Sequence, residues 1–245
     1  MIARRWHRPA WWAVLLTLAA MMLFTRLGVW QLDRAASARS VMAAFADAAS
    51  SEPVEFATPG AFAPERYPHV RVRGHFVADR TYLRDEQMRD GRLGVEAYAV
   101  FAPEGQAADA AHAPVLLIDR GWVSKAVGDS GQTALPTLPH DIVALRGIYA
   151  PFPGNGLRVG GNALQKQGAW PKLTLAIDAD EIAADLGRPL FSGVLLLDSD
   201  AASGFVRTWT PNAMPPERHQ GYALQWFAFA IASIVIFVLL HFRKV

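Results

Sequence analysis

Two long apolar runs bracket a middle stretch in which apolar and polar residues alternate. Residues 9–25 hold 17 uncharged positions rich in Trp, Leu, Ala and Met, and past Arg26 the apolar pattern resumes at Leu27, Val29 and Trp30. Residues 221–240 are uncharged and flanked by aromatics. Such a run, at a rise of about 1.5 Å per residue, spans about 30 Å, the thickness of a bilayer's hydrocarbon core. The pattern therefore predicts membrane-spanning helices over 9–32 and 219–242. No A-x-A-like cleavage site follows the first run, which reads as a retained span rather than a signal peptide.

The middle has a different texture. Residues 69–77 (HVRVRGHFV) alternate as a half-buried strand should, and 81–85, 93–101, 114–123, 142–149 and 193–198 look similar; antiparallel β structure is the natural expectation. Residues 35–49 are Ala-rich and continue the first helix. Asp178 stands three residues before Glu181 and Gly187 closes the stretch, which predicts a short helix over 178–186. Residues 106–112 and 128–139 read as loops. Arg73-Gly-His-Phe and Arg146-Gly-Ile-Tyr share an R-G-x-aromatic pattern in similar strand contexts. The expected fold class is membrane α plus extracytoplasmic α+β: two transmembrane helices flanking one mainly antiparallel β domain, barrel-like or sandwich, with one or two short helices. The segments are 1–8, 9–32, 33–218, 219–242 and 243–245.

Charge sets the orientation. Of the 24 Lys and Arg, six (Arg4, Arg5, Arg8, Arg26, Arg243 and Lys244) lie at or in the spans, leaving 18 basic against 22 acidic groups in the middle, a formal charge of −4. That balance argues against nucleic acid as a partner. Arg4, Arg5 and Arg8 precede the first span while Arg243 and Lys244 follow the second, so the positive-inside rule places both termini in the cytoplasm and the middle outside it. The chain has no cysteine, which excludes disulfides, thiol nucleophiles and C-x-x-C-H haem attachment.

Candidate chemistry gathers where the second span begins, in Met214-Pro-Pro-Glu-Arg-His-Gln-Gly-Tyr-Ala-Leu-Gln-Trp-Phe. Prolines suit the first turn of a helix, so His219, Tyr222, Ala223 and Trp226 then fall on one helix face, with His219 about one turn above the hydrocarbon boundary. A neutral imidazole there could ligate haem iron, with the macrocycle against Tyr222 and Trp226. An interfacial aromatic belt beside a solvated histidine is the alternative reading. Arg26, inside an apolar run in the same leaflet, calls for snorkelling or for an anionic partner, either a haem propionate or Asp33. Gln31 and Gln225 could hydrogen-bond between helices. Gly128-Asp-Ser-Gly resembles a fragment around serine-protease nucleophiles but lacks the expected continuation, and such residues also make ordinary turns. His69 and His75 lie too far apart along a strand for one metal. No P-loop, H-E-x-x-H or dinucleotide fingerprint is present.

Read as a set, Gly28-Val-Trp-Gln-Leu-Asp-Arg34, Tyr67 through Gly74, Gly91 to Gly94, Asp119-Arg-Gly-Trp-Val123 and His219-x-x-Tyr-x-x-Gln-Trp-Phe-x-Phe229 resemble the Surfeit locus (Surf/Shy) protein family of cytochrome c oxidase assembly factors. The resemblance implies a non-enzymatic factor that binds haem a and assists its insertion into oxidase subunit I; a haem-independent scaffold for oxidase subunits is the alternative. It puts the family's haem-associated histidine on His219, making that residue the expected axial iron ligand. Tyr222, Trp226, Arg26, Arg34 and Gln225 complete the expected cofactor-binding set, and Arg120 also matches a motif position. The implied partners are subunit I, haem a synthase and the lipid bilayer. The implied place is the bacterial inner (plasma) membrane, with the main domain periplasmic.

Overall fold

Helix α1 (Trp11–Ser50) and helix α3 (Pro216–His241) are both long and apolar enough to cross a membrane. The computed structural model describes residues 4–56, 62–105, 113–125, 135–154, 164–211 and 214–244. The chain divides into two units, Met1–Ala43 with Ala213–Val245, and Ala44–Asn212. In the first unit the helices pair antiparallel through side chains: Trp6 meets Phe237, Phe24 stacks on Trp226, and Gln31 bonds His219. Strand β1 (Arg4–Trp6) pairs with β9 (Phe242–Lys244), which ties both ends of the chain to the same end of this hairpin. Pro215 caps α3 and Pro216 occupies its first turn, where a missing N–H costs no helical hydrogen bond.

The second unit is built on β3 (His69–Arg89), one strand that covers what the alternation reads as two. It stays continuous because irregularities in its pairing between Phe76 and Thr81 and between Arg84 and Gln87 bend it without ending it. Its partners are β4 (Arg92–Pro103) and β6 (Val143–Ala150), both antiparallel. From β4 the order continues through β5 (Val115–Ser124) and β8 (Leu190–Leu197) to β6, so the sheet closes on itself as a five-stranded barrel. The pairing is mainly antiparallel, as alternation implies. The exception inside the barrel is β5 with β8, while β2 (Val54–Glu55) and β7 (Lys172–Thr174) add parallel pairings to β3. Gly74 and Gly147, the glycines of the two R-G-x-aromatic segments, lie on the paired strands β3 and β6. An added Cβ would run into the carbonyl of Ala102 at the first and of Leu196 at the second. The shared pattern thus marks two close approaches of neighbouring strands.

One apolar set drawn from all five barrel strands, including Val70, Phe101, Leu116, Tyr149 and Leu195, fills the interior. A second set covers an outer face, where Tyr98, Val115 and Leu117 pack with Ile182 of helix α2 (Ala179–Leu186). Strand β5 is buried on both faces, which explains its unbroken Val115-Leu-Leu-Ile118 run. Helix α2 starts as its sequence predicts, with the Asp178 carboxylate accepting from the amides of Asp180 and Glu181, and it ends at Gly187 with φ +66°. Beneath it Lys172 and Asp185 form a buried ion pair, and the Tyr82 hydroxyl donates to the same carboxylate at 2.8 Å.

A polar chain runs through the barrel wall. The Arg84 guanidinium and the Tyr98 hydroxyl (2.9 Å) both donate to Glu96, and the buried carboxyl of Asp119 lies within reach of the charges on Glu96 and Arg84. Burial, and then the charge on Glu96, pushes the Asp119 carboxyl well above the usual carboxylate range. Asp119 therefore holds its proton more tightly in the folded than in the unfolded state. That contribution is full below about pH 4, the unfolded carboxyl range, and is lost as pH rises through the raised folded value. Asp119→Asn supplies the uncharged form permanently, so thermal unfolding of the detergent-purified protein should show a flatter decline in stability with rising pH than the parent does.

Candidate functional site

The first turn of α3 carries His219, half-buried, with its Nδ1 2.7 Å from Oε1 of Gln31 on α1. An amide oxygen only accepts, so Nδ1 carries the hydrogen and Nε2 is left with its lone pair. The bond thus fixes both the tautomer and the orientation of the ring. Further along the same hairpin Phe24 stacks on Trp226 at 5.9 Å, and Phe229 closes against both rings at 5.8 Å. Gly28 is buried where Phe227 crosses it; a Cβ there would lie 2.5 Å from the ring. Small residues at such points let transmembrane helices approach.

The remaining helical candidates lie at the surface of this unit. Tyr222 is 44% exposed and Gln225 is exposed, with no bond to Gln225 among the described residues. Arg26 is exposed beside Met22 and Val29 and has no ion pair among the described residues, so the alternative pairing with Asp33 is not formed. Arg34 lies 5.6 Å from the ring of Trp30 on its own helix. The hairpin therefore brings His219 and Trp226 to one seam and leaves Tyr222, Gln225, Arg26 and Arg34 facing outward. In the sequence Gln31 is marked only as a polar group able to bond between helices, and nothing marks Phe24. The available signal was depth: Gln31 ends one apolar run where His219 begins the other.

The motif residues of β5 serve the barrel itself. Arg120 is buried, lies 4.6 Å from the Phe205 ring and donates to the Pro136 carbonyl at 2.7 Å. Burial and then the charge of Arg207 lower its pKa to about 10. Gly121 holds φ +116° against the Val206 backbone, and its amide donates to Asp119 at 3.0 Å. The Trp122 indole donates to the Gln87 carbonyl at 2.9 Å. His69 is bonded to the Ser51 carbonyl and to Asp198. Ser130 and its Gly128-Asp-Ser-Gly fragment lie outside the described residues.

A model of the SURF1 family matches residues 18–231, most of the chain. That span takes in the aromatic cluster, Gly28, Gln31, the whole barrel and His219. No curated protein matches the chain.

Gly28 gives the seam a direct mechanical test. Gly28→Val forces Phe227 off its position, and overpacking of this kind costs about 1–3 kcal/mol. A lower thermal midpoint with altered Trp fluorescence in detergent is the expected outcome.

Proposed function

The chain belongs to the SURF1 family, the cytochrome oxidase assembly factors, and on that premise we propose that it holds haem a through His219 and assists its delivery to oxidase subunit I. The observation that carries this reading is the Gln31–His219 hydrogen bond at 2.7 Å. Histidines that ligate metals characteristically donate their second ring N–H to an oxygen acceptor, which orients the ring and raises its basicity. Here Gln31 supplies that acceptor, so the donor set fits an iron centre.

Around the ligand, Trp226 with Phe24 and the exposed Tyr222 ring offer flat apolar surface, which suits a hydrophobic macrocycle. Arg26 has no carboxylate partner among the described residues, and a cation near the bilayer edge without one suits an anionic propionate. Arg34 and Gln225 complete the proposed contacts. Haem supplies redox chemistry only in the finished oxidase; the task of these residues is to bind, orient and release. A single protein ligand at a helix end, His219, would hold haem in a way that favours transfer over permanent retention. Haem a synthase and subunit I are the proposed partners in that transfer. The proposed setting is the bacterial inner membrane, with both termini cytoplasmic and the barrel periplasmic, as the distribution of Arg and Lys implies.

The test is the pigment of the detergent-purified protein. His219→Ala should abolish the haem absorbance, and Gln31→Leu should weaken haem affinity by about 10- to 100-fold, the usual cost of losing a residue that orients a metal ligand. Unchanged haem content in His219→Ala removes the histidine from this role. If subunit I co-purifies equally well from haem-deficient cells, the protein works as a scaffold and the haem reading fails.

A further inference from the structure

The end of the hairpin remote from His219 carries a second pair of imidazoles. His241 is the last residue of α3, 22 positions and about 33 Å of helix away from His219. The His7 amide donates to the His241 carbonyl at 3.0 Å, directly after the Trp6–Phe242 pair of the β1–β9 ribbon. This bond sets the backbone of His7 against that of His241 just beyond the end of the ribbon. Both line one cavity between the helix ends, walled by Trp12, Leu16, Phe237 and Leu240.

The chemistry of this cavity is narrow. Its two hydroxyls are engaged, Thr17 with the Ala13 carbonyl and Ser233 with that of Phe229. It has no carboxylate and no thiol among its lining residues. The imidazoles are what remains for a ligand. The Nδ1 of His241 donates to the Phe237 carbonyl at 2.7 Å, which leaves Nε2 with its lone pair. The ring is further held by Phe237 at 4.4 Å and Trp6 at 5.7 Å. This is the same orienting arrangement that marks metal-bound histidines elsewhere.

We propose that His7 and His241 chelate a single divalent transition-metal ion at this end of the hairpin. An all-imidazole donor set selects copper, nickel or zinc over the oxygen-seeking calcium and magnesium. Neighbouring imidazoles on one side of a cavity can converge on one ion at about 2.0–2.1 Å. Two protein ligands leave the other positions to water, which makes the site exchangeable. It is independent of the role of His219.

The experiment uses the full chain with its native His219, purified without a polyhistidine tag and titrated with Cu²⁺ as probe. The expected result is a bound equivalent whose electron paramagnetic resonance shows two coupled nitrogens and which is lost in His7→Ala. Affinity should fall about 10-fold or more in either His7→Ala or His241→Ala, by analogy with the loss of other metal-site groups. His7 is exposed and makes no side-chain bond among the described residues, so His7→Ala tests the site without threatening the fold. Circular dichroism checks the His241 variant, and if that variant misfolds His7→Ala decides alone. Equal affinity in His7→Ala, or a one-nitrogen spectrum in the parent, overturns the proposal.

Discussion

Gln31 ends one apolar run and His219 begins the other, and the two polar side chains take each other as partners. Their bond at 2.7 Å satisfies the imidazole's one hydrogen and the amide's acceptor, and it pins the register of two helices that otherwise meet through aromatic rings. The stack of Phe24 on Trp226, and the passage of Phe227 over a glycine with no side chain, lie along the same seam. Transmembrane helices associate through close packing at small residues together with interhelical hydrogen bonds, and this seam has both. The same bond leaves Nε2 free to act as a ligand, so packing and proposed function rest on one contact.

The barrel solves a different problem. A sheet with exposed edges invites unwanted pairing, and closure through β3, which reaches both β4 and β6, removes them. Closure brings strands close at Gly74 and Gly147, and it buries Asp119 and Tyr98 in the wall, where burial and the charge on Glu96 push the carboxyl above the usual carboxylate range. The Asp119-Arg-Gly-Trp motif belongs to this architecture. Its carboxyl, guanidinium, backbone amide and indole all find partners within the barrel unit.

Much of this was legible from residue order. Apolar run lengths gave the two spans, period-two alternation gave the barrel strands, and Asp178 with Gly187 bracketed α2. The continuity of β3 was not legible, because local pattern sees a break at Ala78-Asp79-Arg80 while the closing partners on either side carry the strand through it. Likewise the parallel pairing of β5 with β8 depends on β8 inserting between β5 and β6, a long-range choice that alternation does not encode. His219 stood out by its position at a helix start, but its partner Gln31 lies 188 residues away. Only the folded hairpin makes the two neighbours. Arg120 matches a motif position that the sequence leaves without a role, and in the fold it is buried against Phe205.

The bond to Gln31 sets which ring nitrogen of His219 carries the proton. Nitrogen-15 solid-state NMR of histidine-labelled protein in lipid, with His219 assigned by comparison to His219→Ala, reads this directly. The expected result is a protonated Nδ1 and an unprotonated Nε2, with the Nδ1 signal shifting in Gln31→Leu. A protonated Nε2, or a His219 signal indifferent to the loss of Gln31, would contradict it.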